Sequence, residues 1–284
     1  MTGTKLLSAL TACVISLTAP AFAAGGGGHV TDIDFSFEGP LGGYDKDQLQ
    51  RGFQVYTEIC AGCHGLRYVS FRDLQALGYT DAEVRAYAAN FSYPDTGLDA
   101  EEGDTRDGLP TDKFPHVTSA DAPDLSLMAK ARAGFHGPYG SGINQLLKGM
   151  GGPEYIYSLL TGYEEAPECA AEYETGSYNV TFEPGGYPEA CVDDGHREVG
   201  GSWIGMPQPL YGDDVVYEDG TEATLEQEAE DVAAFLMWTA EPKLENRKVA
   251  GLVAVLFLSL LTVMLYLTNK KLWAPHKHRT KDDA

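Results

Sequence analysis

The sequence predicts a mainly α-helical head with long loop insertions, anchored by one C-terminal transmembrane helix. Three observations predict it. Stretches with apolar residues at helical spacing recur along the 284-residue chain. Segments dense in Gly, Pro and acidic residues separate them. An uncharged apolar run closes the chain at residues 249–267.

At a rise of about 1.5 Å per residue, a helix over that run matches the roughly 30 Å hydrocarbon core of a bilayer. Lys270, Lys271, Lys277, Arg279 and Lys281 follow it, and basic flanks of this kind stay in the cytoplasm. Arg247 and Lys248 precede it, so charge alone does not set the orientation. The other end of the chain does. Lys5, an apolar run over 6–17 and Ala21-Phe22-Ala23 read as a cleaved secretory signal peptide, too short to span. The expected organisation is a signal peptide (1–23), a periplasmic domain (24–248), a transmembrane helix (249–267) and a cytoplasmic tail (268–284). The protein then sits in the inner (cytoplasmic) membrane. Formal net charge is −22, and residues 24–248 carry 14 Lys and Arg against 40 Asp and Glu. Such acidity argues against nucleic acid and favours a basic protein as partner.

Within the exported part, residues 47–60 place Leu49, Phe53, Tyr56 and Ile59 on one face, with Gly52 beside them. Residues 69–87 read as one or two helices broken near Gly78, with Thr80 or Asp81 capping the second. Residues 90–122 read as loop. Residues 123 to about 132 and 154–163 read as helices, the latter with Tyr155, Ile156, Leu159 and Leu160 on one face. The glycine-rich stretch 134–152 lacks the order of a phosphate loop and reads as a surface insertion. Residues 164–199 hold too few apolar side chains for a core of their own. Residues 224–239 form a final helix, with acidic residues near its N-terminus where the helix dipole favours them.

The chemistry sits in Cys60-Ala61-Gly62-Cys63-His64. C-x-x-C-H reads as covalent haem c attachment. Each thiol adds to one vinyl group of the porphyrin, and the adjacent imidazole reaches the iron as proximal ligand. A zinc site wants a second Cys/His pair at short spacing, and the sequence holds none. A thiol redox pair needs no neighbouring His and belongs in a βαβ setting. The helix that runs into the motif looks like the first helix of a class I c-type cytochrome. That resemblance implies that Gly52, lacking a side chain, lets the first and last helices cross closely.

Candidates for the sixth ligand are Met128, Met150, Met206, Met237, His29, His116, His136 and His196. Met206 stands out, in Gly205-Met206-Pro207-Gln208-Pro209. Two prolines stiffen that strap, and Gly205 lets the backbone approach a flat cofactor. A Met ligand raises the potential and fills the open position, which favours electron transfer over catalysis on a substrate. Arg132 is the best candidate to pair with haem propionates. Of five cysteines, Cys13 leaves with the signal and two take the haem. Cys169 and Cys191 remain, an even pair in an oxidising compartment, so a disulfide is expected.

Several further stretches then match a known family. Arg51-Gly52-Phe53-Gln54-Val55-Tyr56 leads to the haem motif. Pro123-Asp124-Leu125-Ser126, Ser158-Leu159-Leu160-Thr161-Gly162-Tyr163, Gly205-Met206-Pro207, Asp219-Gly220-Thr221 and Ala240-Glu241-Pro242 follow, and the tail helix closes the match. Together they resemble the cytochrome c1 family over essentially the whole mature chain. The 134–152 insertion and the Cys169/Cys191 segment are similar to features of the α-proteobacterial members. The resemblance implies a subunit of the cytochrome bc1 complex (ubiquinol–cytochrome c reductase), a dimeric assembly. Such a subunit takes one electron from the Rieske iron–sulfur protein and passes it to a soluble c-type cytochrome, beside cytochrome b. It is not catalytic alone. The resemblance carries Cys60 and Cys63 over as thioether attachments, His64 and Met206 as axial ligands and Arg132 as a propionate partner. Pro123 carries over as a residue beside the haem, and Cys169–Cys191 as a disulfide.

Two readings compete. A haem enzyme or sensor would keep the distal side open, with His116 or His136 as acid/base, and its reduced form would bind carbon monoxide rapidly. A tethered cytochrome feeding an oxidase would not co-purify with cytochrome b.

Overall fold

The computed structural model describes residues 30–97, 100–117, 121–133, 149–170, 176–185, 189–193, 196–197 and 200–282. The expected signal peptide, most of the glycine-rich insertion, His29 and His136 lie outside them. In chain order the elements are α1 (Lys46–Glu58), α2 (Asp81–Ala88), β1 (Ser92–Pro94), β2 (Thr105–Asp107), α3 (Met128–Ala131) and α4 (Gly152–Thr161). Then come β3 (Ser177–Asn179), β4 (Val192–Asp193), β5 (His196–Arg197), β6 (Ser202–Ile204), α5 (Leu225–Ala240) and α6 (Leu244–Asp282). The strands pair two by two, β1 with β2, β3 with β6 and β4 with β5, all antiparallel. The head is therefore helical, as its sequence periodicity predicts.

The crossing of α1 and α5 organises the core. A Cβ at Gly52 would lie 2.0 Å from the Asp231 carbonyl oxygen and 2.8 Å from the Phe235 Cβ, so no other residue fits the unshifted backbone. Leu49, Phe53 and Tyr56 of α1 and Val232, Phe235 and Leu236 of α5 are buried together. Each large apolar side chain buried this way contributes roughly 1.5–3 kcal/mol. Arg51 fastens the crossing from outside. Its Nε donates to Asp231 Oδ2 at 2.8 Å, its Nη2 to Asp231 Oδ1 at 3.2 Å and its Nη1 to Asp219 Oδ2 at 2.8 Å.

The expected break near Gly78 is real. Residues Phe71–Leu77 form a 3₁₀ helix ended by Gly78 at φ 110°, and α2 starts on a capping box. Thr80 Oγ1 accepts from the Glu83 N–H, and Glu83 Oε2 accepts from the Thr80 N–H. The expectations for two helices need correction. The helix expected over 123–132 shrinks to Met128–Ala131, because residues 123–126 spend their polar groups on another segment, described below. Helix α4 buries Glu154 and Ser158 alongside Ile156 and Leu160, while Tyr155 and Leu159 are only half-buried.

The segment expected to lack a core has a small one. Ala170, Tyr178, Cys191 and Trp203 cluster together. Trp203 arrives on β6, from beyond the segment, through the β3–β6 pairing. The Sγ atoms of Cys169 and Cys191 are bonded at 2.04 Å beside this cluster. At the other end, α6 runs unbroken past both limits of the apolar run. It is long and apolar enough to cross a membrane, and its apolar window is not buried by the rest of the chain.

Candidate haem centre

Helix α1 ends at Glu58, and the chain tightens at once into a 3₁₀ turn over Cys60–Gly62. The Cys63 and His64 N–H groups both donate to the Cys60 carbonyl, at 3.1 and 2.9 Å. The turn thus offers two thiols and an imidazole from five consecutive residues. Neither Cys60 nor Cys63 is in a disulfide. Cys60 and Ala61 pack against the main core, whereas Cys63 is exposed. Burial, and then the neighbouring Cys63, push the Cys60 thiol up to about 12.

His64 is held from two sides. Its Nδ1 lies 2.7 Å from the Pro123 carbonyl oxygen. A carbonyl only accepts, so Nδ1 donates this bond, and Nε2 is the ring nitrogen left over for a metal. The Tyr56 hydroxyl donates to the His64 carbonyl at 3.0 Å. Pro123 itself is fixed by a ladder between residues 65–68 and 124–126. Leu125 N–H donates to Gly65 O at 3.0 Å, Arg67 N–H to Asp124 Oδ2 at 2.9 Å and Tyr68 N–H to Ser126 Oγ at 3.1 Å. Asp124 Oδ1 also accepts from Ser126 N–H at 3.0 Å, an Asx turn. Asp124, Ser126 and Tyr56 were absent from the expected site. The Asp-x-Ser spacing was the signal that could have found the turn.

Met206 is half-buried and packs against the same core as Cys60 and Ala61. The strap leaves β6, whose pairing with β3 sets its start. Its backbone is pinned where the Tyr163 hydroxyl donates to Met206 O at 3.2 Å. A Cβ at Gly205 or at Gly62 would meet nothing within 4 Å, so the backbone beside both groups of donors is bare. The other methionines differ. Met128 and Met237 sit on helices at the core margin, and Met150 is exposed beside a positive-φ Gly149. His116 is exposed. His196 lies on β5, a two-residue strand.

Arg132 caps the C-terminus of α3 in extended conformation. Its guanidinium lies beside the Tyr155 hydroxyl. Burial raises the Tyr155 phenol, and the Arg132 charge and hydrogen bond pull it back. The structure thus joins Cys60, Cys63, His64 and Pro123 directly and puts Met206 on the same core. Arg132 Nη1 donates to Ala131 O at 3.4 Å, and its charge and hydrogen bond also act on the Tyr155 phenol.

A family model described as the cytochrome C1 family matches residues 35–276. A protein of Cereibacter sphaeroides named cytochrome c1 is 54% identical over 287 residues, covering 99% of each chain. One of Rhodobacter capsulatus with the same name is 55% identical over 278 residues, covering 96% of this chain and 97% of the relative. A Bradyrhizobium diazoefficiens protein named cytochrome b/c1 is 37% identical over 260 residues, covering 84% of this chain and 35% of that protein.

Proposed function

We propose, since this chain belongs to the cytochrome c1 family and so is a membrane-anchored, haem-bearing electron-transfer subunit of a bc1 complex, that it relays one electron between two protein partners. The donor is the Rieske iron–sulfur protein, and the acceptor is a soluble c-type cytochrome. Cytochrome b is the neighbour in the membrane, and the fused name of the Bradyrhizobium relative supports that pairing. The assembly is a dimer. The head, 24–248, faces the periplasm after cleavage of 1–23. Residues 249–267 span the inner membrane, and 268–284 reach the cytoplasm.

The residues present fit one covalently attached haem. Cys60 and Cys63 supply two unpaired thiols on one turn. His64 offers Nε2, and Met206 offers a soft thioether on a strap fixed at its carbonyl. Pro123 orients the imidazole, and a hydrogen-bonded partner on the far nitrogen both fixes the ring and raises its basicity. Arg132, at the end of α3, is the propionate partner. When bound, the haem supplies a one-electron ferric/ferrous couple. With His64 and Met206 both holding the iron, no position would remain for a substrate, and the protein's work would be to hold the donors still. The exposed acids Glu164, Glu165 and Glu168 follow directly on Tyr163, which holds the strap. We take this run, rather than Glu101, Glu102 and Asp104, as the docking face for a basic carrier.

The observation that carries the reading is the 2.7 Å contact between His64 Nδ1 and Pro123 O. It is tested by redox titration of the haem α-band in membranes with quinol as donor, for wild type and Met206→Leu. The expected result is a sharply lowered potential with haem still attached and turnover lost. An unchanged potential would assign the distal position to another residue.

A further inference from the structure

The root of the anchor helix carries a cleft that electron transfer does not use. The loop over residues 40–43 forms one wall, and Glu245, Lys248, Val249 and Leu252 of α6 form the other, enclosing about 290 Å³. Lys248 is the last charged residue before the apolar run. Its Nζ donates to Phe37 O at 2.5 Å and Gly42 O at 3.0 Å. An ammonium has three N–H donors, so one remains for the cleft. Glu245 Oε1 accepts from the Tyr44 N–H at 2.9 Å, and a carboxylate has accepting capacity beyond one bond. The apolar part of the cleft is open. Leu41 is 84% exposed, and Val249 and Leu252 are exposed beside it.

These features have a common depth. From Glu245 to Leu252 the helix rises roughly 10 Å, about the distance from a headgroup to the upper acyl chain in a bilayer whose interfacial zone is some 5–8 Å thick per side. The polar end of the cleft carries both signs of charge, and the apolar end points along the span. We propose that the cleft binds one phospholipid with a zwitterionic, primary-ammonium headgroup. Lys248 takes the phosphate, Glu245 takes the ammonium, and Leu41, Val249 and Leu252 take the start of an acyl chain. An anionic headgroup would leave Glu245 facing negative charge. A choline headgroup has no N–H to donate. An apolar side chain from a neighbouring subunit would leave the third Lys248 donor unsatisfied, which a dry interface penalises. The proposal rests on α6 lying in the bilayer and is independent of the haem ligands.

The test uses the intact complex, purified in mild detergent and washed free of loose lipid. Retained lipid is counted by native mass spectrometry, for wild type, Leu252→Trp, which fills the cleft, and Lys248→Met. Delipidated complex is then offered phosphatidylethanolamine, phosphatidylglycerol or phosphatidylcholine. Wild type should hold one more phosphatidylethanolamine per chain than Leu252→Trp, with at least tenfold weaker retention in both variants. The haem spectrum should be identical in all three, and the other two lipids should not compete. Equal retention in wild type and Leu252→Trp would overturn the proposal. So would equal uptake of phosphatidylglycerol, or cross-linking of Leu41→Cys to another subunit with no lipid lost.

Discussion

The imidazole Nδ1 of His64 and the carbonyl oxygen of Pro123, 59 residues apart in sequence, lie 2.7 Å from each other. That one bond orients the ring, and the bonds around Asp124 keep it in place. Asp124 accepts from Arg67 N–H and Ser126 N–H with separate oxygens. Asp124→Ala should therefore destabilise the head by about 1–3 kcal/mol. It should also broaden the redox titration of the haem, because the carbonyl at Pro123 loses its support. Chemical denaturation and potentiometry on the same preparation check both. A stable variant with an unchanged titration would mean that the ladder does not hold the ring.

Gly52 makes a sharper test of packing. A Cβ there would collide with the Asp231 backbone, so Gly52→Ala must push α1 and α5 apart. The expected cost is at least about 3 kcal/mol, the range of severe overpacking, with little mature protein in membranes. Gly62→Ala, whose Cβ meets nothing within 4 Å, should accumulate normally. Immunoblots and haem stain of membranes separate the two.

Stability should fall as pH rises from about 5 to 9. Burial, and then the neighbouring Glu38 and Asp32, raise the Glu154 carboxyl to about 8. The folded state therefore binds a proton that the unfolded state has already lost above its ordinary carboxylate value. That contribution is fully present at acid pH and is lost as pH rises through the folded-state value. Glu154→Gln should flatten the profile, as read by thermal unfolding across that range. A profile unchanged by the substitution would exclude Glu154 as its source.

The bond between Cys169 and Cys191 spans 22 residues and staples the small Tyr178–Trp203 cluster. Cys169→Ala should cost about 3 kcal/mol by the chain-entropy estimate while leaving haem attachment intact. Unfolding curves and haem stain check it. Loss of attached haem would contradict the assignment of the thiols.

If the acids after Tyr163 face the carrier, Glu164→Gln with Glu165→Gln should raise KM for a basic cytochrome several-fold and leave kcat nearly unchanged. The salt dependence of kcat/KM should flatten, because exposed charges act within roughly 8–10 Å at physiological ionic strength. An unaltered salt profile would move the docking face elsewhere.

Much of this molecule was legible in its sequence, and the exceptions share a cause. The α1–α5 crossing, the Thr80 cap and the anchor helix follow from local periodicity, one glycine and one capping pattern. The Cys60–His64 motif is contiguous, so it reads directly. What stayed hidden depends on partners far along the chain. Residues 124–126 lie in a stretch that reads as helix, yet they bond to residues 65–68 instead. Glu154 carries a charge that suggests solvent, yet it is buried, with Glu38 and Asp32 from far upstream beside it. Tyr163 was legible only as the end of the Ser158–Tyr163 match, with no sign of its role. Its role exists only because the β3–β6 pairing brings the strap to its hydroxyl.

The most direct measurement is the intact and peptide mass of the mature chain purified from membranes. One haem on the peptide containing Cys60 and Cys63, and an N-terminus near Ala24, are the expected result. Unmodified thiols at both positions would contradict it.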